Sequence, residues 1–220
     1  MRPTALAILL ALLAACGGSK KTEGPVQNGG LTGAGPTGTV EGAAFTAGDG
    51  GALVVAPAPC PAANNLTLGG LVVAFSSYQG FCAFKRGANA CGDHPSSTEV
   101  IVMMARAASS APPAIGPGTY TIGNSTAGGV ITAVSVDFRR LGATCADVTT
   151  YASVTGSVTI DQVSPTVKGS LTATFWSGAG GGGTSMGSLS GTFEAGACTL
   201  PLDICGLVTG GACSVPACIP

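Results

Sequence analysis

Histidine is all but missing from this 220-residue chain, where His94 stands alone. Charged side chains make up 9% of the residues and aromatic ones 5%, with a single tryptophan. An ordinary globular chain carries roughly 25% charge, so this surface must be built mainly from neutral polar and small residues. Each scarcity removes a class of activity. One histidine cannot supply the paired imidazoles of many zinc sites, and it leaves a single general base of the usual kind for nucleophilic catalysis. Net charge is −1, and from Thr39 onward six basic residues stand against nine acidic ones, giving −3. With no basic run to neutralise phosphates, binding to nucleic acid has no electrostatic footprint. Helical periodicity is also lacking, which makes an α/β fold hard to build.

What is present begins with an address. Arg2 is followed by an apolar stretch over residues 5–15 and then Cys16. That stretch is short of the ~20 apolar residues that a membrane span needs, and one positive charge before a dozen apolar residues is the layout of a secretory signal. Leu13-Ala14-Ala15-Cys16 resembles the lipobox of bacterial lipoprotein precursors. The resemblance implies removal of residues 1–15 and lipidation of the Cys16 thiol. Two or three acyl chains then anchor the protein, each buried methylene contributing about 0.8 kcal/mol. Gly17 rather than Asp at the second mature position implies sorting to the outer membrane, on its periplasmic or surface face. Residues 16–38 are rich in glycine, with Lys20, Lys21 and Glu23 as the only charges, and read as a tether.

Nine cysteines are an odd number for an exported chain, and lipid on Cys16 resolves the parity. Eight remain (Cys60, Cys82, Cys91, Cys145, Cys198, Cys205, Cys213 and Cys218), enough for four disulfides in an oxidising compartment. A Cys82–Cys91 bridge is the pair that spacing favours. It would staple Lys85 and Arg86 into an exposed cationic knob. The connectivity of the other six is open, since eight cysteines allow about 105 pairings. Four of them fall within residues 198–220, a tail with almost no strand pattern that must be held down by cross-links. Cys91-Gly92-Asp93-His94 also offers a thiol, a carboxylate and an imidazole, but one histidine falls short of ordinary metal spacing, and no metal or cofactor is expected.

Between tether and tail, residues 39–197 read as one β-domain. Strict alternation puts Val154, Val158 and Ile160 on one face, then Val167, Leu171, Ala173 and Phe175, then Leu189 and Phe193. One wet face per strand is the mark of antiparallel sheets. Residues 66–75, 100–105 and 130–138 are apolar on both faces and belong at the centre of a sheet. Weaker strands fall at 39–46, 52–56 and 118–122. About nine strands punctuated by turns predict an all-β fold, a single antiparallel sandwich or flattened barrel braced by disulfides. Gly156, Gly169 and Gly191 sit inside these strands within a recurring apolar-polar-Gly-hydroxyl pattern, marking bulges or the close approach of another strand.

The remaining motifs are weak. Gly183-Thr184-Ser185-Met186-Gly187 matches G-x-S-x-G, but an alternating strand follows where a nucleophile elbow needs a helix. Asp49, His94 and Ser185 have a triad order by coincidence. Gly33 to Gly38 and Gly178 to Gly183 satisfy G-x-G-x-x-G without the flanking strand and helix that bind a dinucleotide. Asn65-Leu66-Thr67 and Asn124-Ser125-Thr126 match a glycosylation acceptor pattern that carries little weight beside a bacterial lipobox. Trp176 takes the outward parity of its strand, beside a glycine loop.

Lipobox, tether, the opening Val40-Glu41-Gly42-Ala43-Ala44-Phe45, the paired Gly-Ser/Thr strands and the closing Gly191-Thr192-Phe193-Glu194-Ala195 before Cys198 together resemble lipoproteins of some Gram-negative lineages. That family has no assigned activity. The resemblance implies an exported, membrane-anchored envelope protein with a non-catalytic structural or recognition role. The expected partners are the membrane and an envelope protein or small apolar ligand. The alternative is a lipocalin-like carrier of a small apolar molecule, and the last choice is a serine hydrolase using Ser185.

Overall fold

A computed structural model describes residues 29–61, 64–86 and 92–199. The signal, Cys16, Cys91, Cys205, Cys213 and Cys218 lie outside the described residues. Within them the chain forms two antiparallel sheets of eleven strands. The strands in chain order are β1 (Thr37–Val40), β2 (Ala43–Thr46), β3 (Asp49–Cys60), β4 (Leu66–Ser76), β5 (Thr98–Ala108), β6 (Gly118–Thr121), β7 (Gly123–Ala127), β8 (Val130–Arg140), β9 (Ser153–Gln162), β10 (Val167–Trp176) and β11 (Ser185–Ala195). One sheet runs β2-β1-β11-β10-β9-β6, the other β3-β4-β5-β8-β7.

Two differences account for eleven strands rather than about nine. Residues 39–46 do not form one strand: Glu41 and Gly42 both take positive φ (53° and 75°) and fold them into the β1–β2 hairpin. Residues 123–127, Gly-Asn-Ser-Thr-Ala, form β7 with no buried side chain at all, so no hydrophobic period announces the strand.

The strands with one wet face all lie in the six-stranded sheet. Val158, Ile160, Val167, Leu171, Ala173, Phe175, Leu189 and Phe193 are buried, as their alternation predicts. Three glycines fill the inner face beside them: Gly156 opposite Ala173, Gly187 opposite Phe175 and Gly191 opposite Leu171. At Gly156 (φ 135°) a Cβ would overlap the Thr172 carbonyl oxygen, so the neighbouring strand can approach only where no side chain begins. Gly169 marks a register shift against β9.

The doubly apolar strands β4, β5 and β8 are the three inner strands of the five-stranded sheet. Their inner residues, among them Leu71, Val73, Phe75, Val100, Val102, Met104, Val134, Val136 and Phe138, share one core with the opposite sheet. A run of edge-to-face rings ties the sheets together: Phe45 to Phe138 at 6.2 Å, Phe138 to Phe175 at 5.8 Å and Phe175 to Tyr151 at 4.9 Å. Each such pair contributes ~0.5–1.5 kcal/mol beyond its burial.

Their other face is apolar because it too is covered. Residues 77–86 and 92–97 fold over it and include α1 (Phe81–Arg86), a six-residue helix that local periodicity does not predict. Its first turn is stabilised from far away. The carboxylate of Asp49 on β3 accepts hydrogen bonds from the N–H groups of Gly80 (2.7 Å) and Phe81 (2.9 Å), and Lys85 and Arg86 close the last turn, where cations suit the helix dipole.

Cys82 on α1 is disulfide-bonded to Cys198, with a Cα separation of 5.6 Å across 116 residues of sequence. This corrects the expected Cys82–Cys91 bridge, because a sulfur makes one such bond. Short spacing favours a local loop, but α1 presents Cys82 inward beneath the chain leaving β11. The sulfurs occupy space that two glycines leave open: a Cβ on Gly51 or on Gly29 would overlap the Cys82 sulfur. Cys60 and Cys145 are disulfide-bonded as well.

Residues 29–36, which composition assigns to the tether, already run beside β11. Leu31 bridges Ala195, and Thr32 N–H donates to the Glu194 carbonyl at 2.9 Å. Their glycines read as linker, yet a Cβ on Gly35 would overlap the side chain of Ala47.

Candidate functional site

Polar chemistry is concentrated on the outer face of the five-stranded sheet. Pairing places Asp49 beside Ser76, Ser76 beside Glu99 and Glu99 beside Arg139, a single row across β3, β4, β5 and β8. Every member points to the side that residues 77–86 and 92–97 cover. Asp49 holds α1. The Ser76 hydroxyl donates to the Tyr78 carbonyl at 2.7 Å. Glu99 is fully buried and accepts from the Tyr78 hydroxyl (2.9 Å) and from Lys85 Nζ (3.1 Å). Arg139 forms two hydrogen bonds to Asp93, at 3.1 and 2.8 Å.

Lys85 therefore does not stand on an exposed cationic knob. Its ammonium also donates to the Gly92 carbonyl at 3.0 Å, lies 4.0 Å from Asp93 and sits over the rings of Phe81 and Phe84. Two carboxylates and two cations are thus neutralised within one desolvated patch. Burial alone would disfavour the charge on Arg139, but the hydrogen bonds and charge of Asp93 outweigh it and hold the guanidinium above its ordinary value. Burial, with Glu99 beside it, pushes the Tyr78 hydroxyl up. Both carboxylates of the cluster already accept hydrogen bonds from their partners. Such an arrangement clamps the covering segment to the sheet.

His94 belongs to the same patch. Its ring stacks on Tyr78 with centroids 4.4 Å apart and meets Phe84 edge-on at 5.4 Å, while Nδ1 lies 3.0 Å from the Pro95 carbonyl. Ser185 opens β11 in the other sheet, opposite Trp176. Asp49, His94 and Ser185 are thus each placed by different contacts, and no hydrogen bond joins them among the described residues. Gly183-Thr184-Ser185 closes the β10–β11 hairpin, whose tip carries a 3-10 turn at Ala179–Gly181. Trp176 lies on the wet face, donating Nε1–H to the Thr155 hydroxyl at 2.8 Å. Among the described residues no group of three or more His, Cys, Asp and Glu side chains is arranged to hold a metal ion. A shallow groove of about 250 Å³ beside the disulfide is lined by Ala52, Leu53, Val54, Val163, Pro165 and Val167 among others, below the ~300–1,000 Å³ usual for ligand pockets.

One member of the outer face titrates abnormally. Burial raises the Asp137 carboxyl above its ordinary value, against the opposing effect of the Tyr151 hydroxyl, which donates to it, and of Arg139. A raised folded-state pKa means that the native state binds this proton more tightly than the unfolded chain does. Its ionisation therefore lowers stability as pH climbs above the unfolded aspartate value of about 3.9. Asp137→Asn, which keeps an acceptor for Tyr151, is expected to be more stable than the parent at pH 7. The advantage should shrink towards zero at about pH 3.5, below the unfolded value. Urea midpoints across that range test this, and a uniform loss of stability would refute it.

Sequence reasoning singled out Lys85, Asp93 and His94 but missed Asp49, Ser76, Glu99 and Arg139 as one row. Each stands at one end of an apolar run, so the hint was a polar or charged residue where a strand begins or stops. Their alignment depends on register, which no local pattern carries. Comparison with known proteins adds no relative: no family model, no curated protein and no solved structure matches this chain.

Proposed function

We propose that this protein is an exported lipoprotein of the cell envelope, anchored through Cys16 and displaying a disulfide-braced β-sandwich with a non-catalytic structural or recognition role. The observation that carries the reading is the state of the cysteines: all four described ones, Cys60, Cys82, Cys145 and Cys198, are in disulfides. Disulfides persist in oxidising, extracytoplasmic compartments, which agrees with the signal and lipobox at residues 5–16. A role in recognition or architecture fits a domain whose densest polar cluster is internally neutralised. The packed interior, with Phe75, Phe138, Phe175, Leu71 and Met104 fully buried, counts against a carrier holding its ligand between the sheets.

The intact mass of the native protein from a membrane fraction, with and without reduction, tests this address. The expected species begins at Cys16, carries a diacylglycerol and an acyl chain, and gains eight hydrogens on reduction, one for each cysteine after Cys16. A chain that keeps residues 1–15 with an unmodified Cys16 would overturn the lipoprotein reading.

A further inference from the structure

Cys60 is fully buried and disulfide-bonded, and its place in the fold excludes most partners. Cys82 and Cys198 are taken by each other. Cys145 lies at the opposite end of the five-stranded sheet: its sulfur is 3.2 Å from the Asp93 carbonyl, and the Asp93 carboxylate holds Arg139, in the row that passes through Ser76. Cys60 pairs with Leu66, the first residue of β4, and Ser76 is the last. That strand is about 33 Å long, whereas a disulfide brings its two Cα atoms within about 7 Å. Cys91 is excluded on the same ground, being bonded to Gly92, whose carbonyl is held by Lys85 beside Glu99. Cys16 carries lipid in the function proposed above, and this step rests on that reading. The partner of Cys60 therefore stands in the tail beyond Thr199.

The chain enters that tail heading towards Cys60. Ala197 forms a parallel bridge with Ala52, in which Ala52 N–H donates to the Gly196 carbonyl at 2.9 Å and Cys198 N–H to the Ala52 carbonyl at 2.7 Å. Parallel pairing sends the chain along the β3 edge in the direction of Cys60. The distance fits one cysteine. Leu53 and Cys60 face Val72 and Leu66 on β4, about 20 Å apart. Cys205 follows Cys198 by seven residues, which span about 23 Å when extended. The route passes the groove of about 250 Å³, whose lining runs from Val54 through Val163, Pro165 and Val167 to Thr199. Val54 is 55% exposed there, and the residues that come next include Leu200, Leu202 and Ile204.

We propose that the C-terminal tail is a strap along β3, tied at one end by Cys82–Cys198 and at the other by a Cys60–Cys205 disulfide, with residues 200–204 laid over the groove at Val54. Residues 200–220 lie outside the described residues; the strap rests on where the chain leaves them, on its direction and on the reach of its cysteines. To form the bond, two thiols give up two hydrogens to a disulfide donor of the oxidising compartment, which is reduced to a dithiol. The strap supplies the cover that an open sheet edge needs. Pro57, Pro59 and Pro201 lack the N–H groups of a continuous ladder, so a covalent tie holds the far end instead.

Non-reducing peptide mapping of the native full-length protein, its free thiols alkylated first, is the test. Cleavage after Tyr78 and Leu207 and before Asp203 places Cys60, Cys82, Cys198 and Cys205 on separate peptides. The expected species joins the Cys60 peptide to residues 203–207. A Cys60 peptide joined to Cys213 or Cys218 overturns the strap and leaves the lipoprotein reading standing, whereas one joined to Cys16 overturns both. Cys60→Ser with Cys205→Ser gives a second readout. Chymotrypsin should cut this variant after Leu202 at least about tenfold faster than the parent, because a held segment must open before it is cleaved, with the buried Phe175 still protected in both. Equal rates at Leu202 would overturn the strap. If the variant fails to fold, Phe175 is cut as well and the map of the parent decides.

Discussion

Replacing Cys82 and Cys198 together by serine is expected to lower the stability of the domain by up to about 4.7 kcal/mol, the chain-entropy value for a loop of ~100 residues. The bridge spans 116 residues, so it restricts most of the domain in the unfolded state. Cys60 and Cys145 are disulfide-bonded too and already restrict the unfolded chain, which makes that figure an upper bound. Denaturation of the oxidised double variant against the parent measures the loss. Non-reducing peptide mapping of the parent should recover the Cys82 and Cys198 peptides as one linked species. A Cys82–Cys91 peptide in its place would refute the pairing. The bridge matters beyond entropy because it fastens α1 to the chain leaving β11.

Breaking the buried ion cluster should produce the second large effect. Glu99→Ala strands the Lys85 ammonium and the Tyr78 hydroxyl beneath the covering segment. Removing one partner of a buried pair costs about 3–5 kcal/mol. Asp93, 4.0 Å from Lys85, compensates part of the charge, so a loss near 3 kcal/mol is expected. Lys85→Met should cost a similar amount, because it leaves Glu99, fully buried, with Tyr78 as its main donor. The double replacement Lys85→Met with Glu99→Leu leaves neither charge uncompensated and should lose much less than the sum of the singles. Urea unfolding of the four proteins closes the cycle. Additive losses would mean that the two side chains do not act as a unit, and the clamp reading would fall.

How much of this was legible in the chain can be judged from particular residues. Val158, Ile160, Leu171, Phe175, Leu189 and Phe193 are buried where alternation put them, because one solvated face imposes a period of two on each strand. Apolar runs without alternation correctly marked β4, β5 and β8 as interior strands. The same runs carried a second message, that something covers their outer face, but not what does. β7 stayed hidden because a strand with no buried side chain has no hydrophobic signature. α1 stayed hidden because Asp49, its cap, is 32 residues away from Phe81.

Composition and pattern by themselves determined the all-β class, the inward face of each hairpin strand and the central place of the apolar runs. Those properties depend on where each side chain stands relative to its sequence neighbours, and solvent sorts them locally. Tertiary structure alone decided that Cys82 meets Cys198, that Asp49, Ser76, Glu99 and Arg139 form one row, and that Lys85 is neutralised rather than displayed. Each of these depends on strand register and on a covering segment folded across it. A one-residue slip would turn every side chain in that row to the opposite face, and no local pattern in the chain records which register is chosen.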